Sequence, residues 1–351
     1  MKIVAGLGSI DDYIRLAEAG ADEMFCGYVP YEWNKKYGTL FPLNRREVLF
    51  YNVQIGSLED MKILKKMIDV YKVPVTIAFN YLYYVDEQYE IIVDIIRDLI
   101  EIGFNEFIIA DISLILYLQK KNIKCFIHLS GECAEINRLS IDFFNRFDNI
   151  SRYIFHRKNT IEDMMSCINS SIKKNMEYEA FILNERCHYT GAFCSSLHCD
   201  EMVHLCKMPY EMAKINEDCD RFSEVDKKFS LYYREENNED DREAHYLNEH
   251  SGINNDNKCD YNESEYNEET EDGYRLGSTG CGLCALKKLK EAGVTHLKVV
   301  GRGNYIDYME KDVRNLKKAI DMLNDENYNN DYEESIIKKM FFGRCSGECY
   351  Y

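Results

Sequence analysis

Cysteine is the residue type whose number and spacing most clearly predict chemistry in this 351-residue chain, which contains 14 of them. Two clusters stand out, one of four cysteines within twenty residues and one CxxC pair further along the chain. A disulfide framework is not expected, because Asp11 and Asp12 interrupt the first apolar stretch and no secretory signal is visible. Clustered thiolates then indicate metal ligands. The candidate ligands are Cys187, Cys194, Cys199, Cys206, Cys281 and Cys284.

Four thiolates can hold a structural zinc ion or an iron–sulfur cluster. Zinc sites typically combine two short CxxC-like knuckles, and among the candidates only Cys281 and Cys284 have that form. The six residues between Cys187 and Cys194 suit a cluster slightly better, because its iron corners lie farther apart than ligands on one ion. The spacing leaves both metals open. For the CxxxC pair Cys345 and Cys349, a second metal and a terminal redox pair are both compatible with the sequence.

The sequence repeats one pattern, in which a short apolar run is followed by a stretch with helical periodicity. The strands and helices that this pattern predicts must position the cysteines. Eight such repeats favour a parallel (β/α)8 TIM-like barrel of the α/β class, with a doubly wound sheet as the alternative. Helix-ending glycines are expected at Gly20 and Gly293. The predicted strands are 2–5, 23–26, 75–79, 106–110, 124–128, 152–156, 178–183 and 296–300, and the clearest helices are 57–70, 86–102, 137–147, 160–173, 282–292 and 309–323.

The charge is concentrated in one segment. Residues 217–275 contain 20 Asp and Glu against 7 Lys and Arg, out of a net charge of -18 for the chain. With few periodic apolar residues, this segment is expected to be an acidic, disordered insertion between strand seven and the following helix. If it loops out, the two cysteine clusters belong to one connection at the top of the barrel. The predicted domains are therefore the barrel at 1–210 and 277–325, the insertion, and a C-terminal tail at 326–351.

Composition excludes several classes of protein. The hydrophobic content of 46% excludes wholesale disorder. Charged residues break every long apolar run, so no membrane-spanning helix is predicted and a soluble, cytoplasmic protein is expected. The negative net charge argues against a broad nucleic-acid-binding face.

Several motifs follow one another in an order typical of a known family. A Glu-x-Phe strand precedes two cysteines separated by six residues, CKMPY follows, and CALKKLKEAGVTHLKVVGRGN closes the series. In this order the sequence resembles peptidase family U-32, the collagenase-like peptidases, over 1–210 and 277–323. Departures around Arg157 and Asn184 mark a divergent branch. The matching positions are Asn80, Asp111, His128, Ser130, Asn137, Glu179, Phe181, Cys187, Cys194, Cys206, Lys207, Tyr210, Cys284, Gly293, Lys298, Gly301 and Arg302.

The resemblance implies a 4Fe–4S cluster, because members of this family use four cysteines to hold one. Such members take part in oxygen-independent hydroxylation of RNA bases or of a quinone precursor, so a small-molecule or nucleobase substrate is expected. By position the ligands would be Cys187, Cys194, Cys206 and Cys284, with Cys199 and Cys281 as substitutes. The expected catalytic residues are Asp111, His128, Arg157 and Arg302, and the expected substrate-binding residues are Asn44, Arg45, Arg46 and Asn80.

Two other functions remain open from the sequence. The family name implies a peptidase, a hydrolase that needs an activated nucleophile and a base. Neither G-x-S-x-G nor H-E-x-x-H occurs in the chain. The third possibility is a non-catalytic, metal-stapled subunit that docks on a protein partner through the acidic segment.

Overall fold

The computed structural model describes residues 1–38, 41–45, 53–133, 136–173, 175–187, 273–325, 331–343 and 345–351. Arg46, Cys194, Cys199, Cys206 and the predicted insertion up to residue 272 lie outside these ranges. The predictions made for them stay predictions.

The eight described strands form a closed, parallel barrel in which each strand pairs with its neighbour in sequence and β8 pairs with β1. This confirms the (β/α)8 prediction and excludes the doubly wound sheet, whose edges stay open. The strands are β1 Lys2–Leu7, β2 Glu23–Gly27, β3 Val75–Phe79, β4 Glu106–Ile109, β5 Phe126–Leu129, β6 Ile150–Ile154, β7 Glu177–Leu183 and β8 His296–Val299.

Helices follow the strands along the chain. Those predicted from periodicity begin and end within a few residues of the expected positions. Gly20 and Gly293 end their helices with φ angles of 107° and 95°, a left-handed conformation that a glycine adopts without a Cβ clash. The described helices are α1 Tyr13–Ala19, α2 Tyr31–Tyr37, α3 Leu58–Tyr71, α4 Asp86–Ile102, α5 Ile112–Lys120, α6 Arg138–Phe144, α7 Ile161–Ser170, α8 Leu286–Ala292, α9 Ile306–Asn324 and α10 Tyr332–Met340.

Alternation along the strands divides the core into two layers. Residues such as Ile77 and Phe107 belong to the large cluster that includes the buried faces of the helices. The alternate residues point into the barrel, where a smaller apolar layer fills its upper half. That inner layer contains Val4, Phe25, Ala78, Ile108, Ile154, Phe181 and Val300.

Below this layer the barrel is filled by charged side chains at the start of the strands. Arg152 lies 2.7 Å from both Glu23 and Glu177 and 2.8 Å from Glu179, and Lys298 lies 2.6 Å from Glu179. Burial alone would raise the pKa of Glu179, but Lys298 and Arg152 outweigh it and lower that pKa to about 2. These carboxylates therefore stay ionised and pair with the cations.

The C-terminal part of the chain returns to the barrel. In α10, Tyr332 is buried and its hydroxyl donates a 3.0 Å hydrogen bond to the Ala319 carbonyl. Residues 345–351 then lie over the end of β7, where the Tyr351 hydroxyl donates to the Phe181 carbonyl at 2.8 Å. Among the described residues, no helix combines the length and apolar character that crossing a bilayer requires.

Candidate functional site

The carboxyl ends of β2 and β8 meet at a buried polar cluster. Asn44 and Gln54 exchange two 3.0 Å hydrogen bonds between their side-chain amides. Arg302 Nη2 donates a further 2.8 Å bond to Asn44 Oδ1. Gly27 makes this convergence possible, because a Cβ there would lie 1.8 Å from Gln54 Oε1 and 2.2 Å from Arg302 Nη1.

A second polar cluster spans the mouth from β3 to β6. Glu132 lies 3.0 Å from Arg157 and 3.5 Å from Arg45, so one carboxylate joins two guanidinium groups. The backbone N–H of Arg45 donates to Asn80 Oδ1 at 3.1 Å. The Arg157 guanidinium lies 4.0 Å from the centre of the Phe181 ring, which seats it over the inner apolar layer. In the described part of the mouth, two guanidinium groups therefore share one carboxylate, and guanidinium groups are well suited to hold an anion.

His156 faces the barrel mouth two residues beyond β6. Its Nδ1 accepts a 3.1 Å bond from the backbone N–H of Lys158, so Nε2 carries the proton. Nε2 is buried and makes no hydrogen bond within the part of the chain that the structure describes. Burial lowers the pKa of His156 to about 4, which keeps the ring neutral at physiological pH.

Asp111 caps a helix and fixes a loop. Oδ1 accepts a 2.8 Å bond from the backbone N–H of Ser113, at the start of α5. Oδ2 accepts from the backbone N–H of Tyr84 at 3.2 Å and from the Tyr89 hydroxyl at 2.8 Å. These three bonds account for Asp111 as a structural residue, and its expected catalytic role remains a prediction.

His128 lies lower in the barrel than the sequence predicts. Strand β5 continues to Leu129, so His128 belongs to the strand interior and sits 3.7 Å from Glu106. Burial and the nearby Arg152 lower the pKa of His128 to about 3. The side chain is part of the charged layer beneath the apolar one, and Ser130 takes the position nearest the mouth.

Glu23, Glu177 and His296 also place possible metal-ligand atoms within 4.8 Å of one another. The Arg152 guanidinium already lies 2.7 Å from both carboxylates. Because both carboxylates already pair with that cation, we interpret this group as an ion-pair network in the barrel floor.

Of the four cysteines clustered between positions 187 and 206, the structure describes Cys187. It follows β7, and the Phe181 ring of that strand lies 4.0 Å from the Arg157 guanidinium. The backbone N–H of Arg186 donates a 2.7 Å bond to the Thr279 carbonyl, and Leu183 forms an antiparallel bridge with Cys281. The segments that carry Cys187 and the CxxC pair therefore run side by side at the end of β7, as the sequence predicts.

The structure places the CxxxC pair, Cys345 and Cys349, beside the CxxC pair, Cys281 and Cys284. Cys281 forms a parallel bridge with Cys349, the second cysteine of the CxxxC pair. Burial, with the neighbouring thiols, raises the pKa of Cys281 to about 12 and that of Cys284 to about 11. We name these four residues, Cys281, Cys284, Cys345 and Cys349, the tail thiol cluster.

The structure thus brings most of the expected mouth residues together and adds others. Arg45, Asn44, Asn80, Arg157 and Arg302 share the mouth, whereas His128 does not. Sequence reasoning missed three contributors: Gln54, Glu132 and His156. Only His156 gave a local signal, since it ends a predicted strand beside Arg157.

Comparison with sequence models of protein families identifies one family. The sequence model described as Peptidase family U32 matches residues 8–347. A search of curated proteins gave no match. Among solved structures, a U32 peptidase, Mk0906, is similar at a TM-score of 0.38 and 10% identity, over 52% of this chain and 69% of that one. Dihydrodipicolinate synthase from Bacillus clausii is similar at a TM-score of 0.42 and 9% identity, over 96% of this chain and 79% of that one.

Proposed function

The chain belongs to peptidase family U32, and from that premise we propose that it is an iron–sulfur enzyme of the oxygen-independent hydroxylation or modification type. Its reaction would take place at the barrel mouth. The observation that carries the proposal is that the segment of Cys187, an expected cluster ligand, runs beside the CxxC segment at the end of β7, where Arg157, an expected catalytic residue, is seated on Phe181. A redox centre beside anion-binding groups is the arrangement such an enzyme needs.

The described donors fit an iron–sulfur cluster. Cys187 and Cys284 lie on segments that converge at the end of β7, and thiolates are the ligands these clusters require. In this proposal Cys194 and Cys206 complete the set, with Cys199 and Cys281 as substitutes. When bound, a 4Fe–4S cluster supplies one-electron transfer. Zinc is the alternative metal.

The substrate side of the mouth supports an anionic or oxygen-rich small molecule, including a nucleobase derivative. Arg157 is seated on Phe181 and tied to Glu132, so its planar fork has a fixed direction. Arg302 is held by Asn44. His156 offers a neutral N–H donor that could orient a carbonyl or phosphate oxygen.

A peptidase is the second candidate, because the matching family carries that name. Cys187 would then be the candidate nucleophile, and it could not at the same time ligate a cluster. A non-catalytic subunit with a protein partner is the third candidate. It predicts a stoichiometric second protein in a pull-down from native extract.

The test is an oxygen-free purification followed by a visible spectrum and assays for iron, acid-labile sulfide and zinc. About four iron and four sulfide per chain, lost in Cys187→Ser and kept in Cys125→Ser, would support the cluster enzyme. Cys125 is the matched control, because it is a core cysteine that lies just before β5, at the opposite end of the barrel from the mouth. A colourless protein that cleaves peptides, and loses that activity in Cys187→Ser, would instead establish the peptidase.

A further inference from the structure

The last residues of the chain are built into the barrel mouth. Cys281 N–H donates a 2.7 Å bond to the Glu348 carbonyl, and Tyr350 N–H donates a 2.8 Å bond to the Cys281 carbonyl. The Tyr350 hydroxyl donates to the Asn184 carbonyl, and its ring stacks on Phe181 at 6.4 Å between centroids. This docking fixes the backbone of Cys349 beside that of Cys281.

Two cysteine pairs far apart in sequence therefore share one place in the fold. Cys281 and Cys284 have the x2 spacing of a metal knuckle, and Cys345 and Cys349 have x3 spacing, which lies within the usual range. All four are free thiols. Pairs of short-spaced cysteines brought together from distant segments are the typical architecture of a four-thiolate metal site.

We propose that Cys281, Cys284, Cys345 and Cys349 together bind a thiophilic metal centre, either a zinc ion or an iron–sulfur cluster. Its coordination ties residues 345–351 to the end of β7. The site does not depend on the proposed enzymatic function. If both centres exist, Cys284 belongs to the tail thiol cluster and Cys199 becomes the fourth ligand of the Cys187 centre.

The hydroxyl of Ser346, close to Cys281, also supports a metal site. Its Oγ is buried and makes no hydrogen bond within the described residues. A Cβ placed on Gly277 would lie 3.1 Å from Cys281 Sγ and 3.4 Å from Ser346 Oγ, so hydroxyl and thiol face the same small space. A hydroxyl in that place can donate to a metal-bound thiolate, as outer-shell groups commonly do.

The distances between the four sulfurs affect which metal centre the site can hold. Sulfurs on one tetrahedral zinc ion lie roughly 3.8 Å apart. Among the described residues, no three of these four sulfurs lie within 4.8 Å of one another. A single zinc ion would therefore require the side chains to rotate inward, whereas ligands of a cluster of several irons lie farther apart than those of one ion.

The experiment compares the metal content of oxygen-free wild-type protein with that of Cys345→Ser/Cys349→Ser, Cys187→Ser and Cys125→Ser. We expect the double variant to lose one equivalent of metal, one zinc or one set of four iron and four sulfide, that the Cys187→Ser and Cys125→Ser proteins retain. Zinc assayed separately from iron and sulfide identifies the metal. Loss of that equivalent with no iron bound anywhere would support this site while overturning the cluster enzyme.

A measurement on the unaltered chain covers the case in which the double variant does not fold. Mass-spectrometric mapping of iodoacetamide labelling, with and without a chelator, should show all four cysteines protected together and released together. Metal content in the double variant equal to that of wild type would overturn the proposal. So would a Cys345–Cys349 disulfide in protein purified without oxygen, or loss of the same single centre in Cys187→Ser.

Discussion

Arg302 Nη2 donates a 2.8 Å hydrogen bond to Asn44 Oδ1 across the mouth of the barrel. The bond joins the chain after β8 to the chain after β2, which is separated from it by more than half of the sequence. Asn44 is fully buried and its amide is itself fixed by Gln54, so the guanidinium is held by a rigid partner. A positioned arginine of this kind is suited to bind an anion.

We predict that the mouth binds simple anions and that Arg302 contributes to their affinity. Inorganic phosphate should raise the midpoint of thermal unfolding, and Arg302→Met should weaken phosphate binding at least tenfold, about 1.4 kcal/mol. Arg314→Met is the control, because Arg314 is an exposed residue of α9 that pairs with Glu310. If phosphate raised the midpoint of thermal unfolding equally in the two variants, Arg302 would not be part of the anion site.

Gly27→Ala should disturb the same cluster by steric contact. Its Cβ would lie 1.8 Å from Gln54 Oε1, so the amide pair and Arg302 would have to move. We expect a loss of about 1–3 kcal/mol in the free energy of unfolding, measured with urea, together with weaker phosphate binding. Gly56→Ala is the matched control, because the nearest atom to its added Cβ is 3.9 Å away. A Gly27→Ala protein as stable as the control would contradict the packing described for this site.

Removing Arg152 should destabilise the barrel strongly. Arg152→Met would leave Glu23, Glu177 and Glu179 without the cation that they share. The expected loss is about 3–5 kcal/mol in the free energy of unfolding, because the carboxylates would lose the one cation that contacts all three. Arg97→Met, which removes an exposed pair with Asp94, should cost less than about 1 kcal/mol. Similar losses in both variants would show that the charged floor of the barrel is solvated.

His128 should make stability fall with acid. Its pKa in the folded protein is lowered to about 3, chiefly by burial, whereas the unfolded chain binds the proton near the ordinary value of 6.5. Its stabilising effect is therefore complete above pH 6.5 and is lost as the pH falls toward 3, with a slope of up to about 1.4 kcal/mol per pH unit.

Urea unfolding at several pH values between 7 and 4 tests this dependence. His128→Gln should show a shallower decline than wild type over that range, and the same slope as wild type between pH 7 and 8. Parallel curves down to pH 4 would mean that His128 has the same pKa in the folded and unfolded protein, so that burial does not lower it.

Much of the fold was predictable because its determinants are local. Apolar runs of strand length, helical periodicity and helix-ending glycines such as Gly293 act over a few residues, so their order gave the eight repeats. Strand ends were less certain. The single added residue in β5 moves His128 from the expected mouth to the barrel interior, because depth in a barrel depends on register with neighbouring strands.

The sequence by itself determined the barrel, the family and the thiol-rich character of the β7 connection, since these reside in periodicity, motif order and composition. Only the tertiary structure decided which side chains meet. Glu132 joins Arg45 and Arg157, and the Cys345–Cys349 pair reaches Cys281, through contacts between segments distant in the chain. Closure of the barrel and docking of the C-terminal residues create these contacts. Spacing along a sequence carries no information about them.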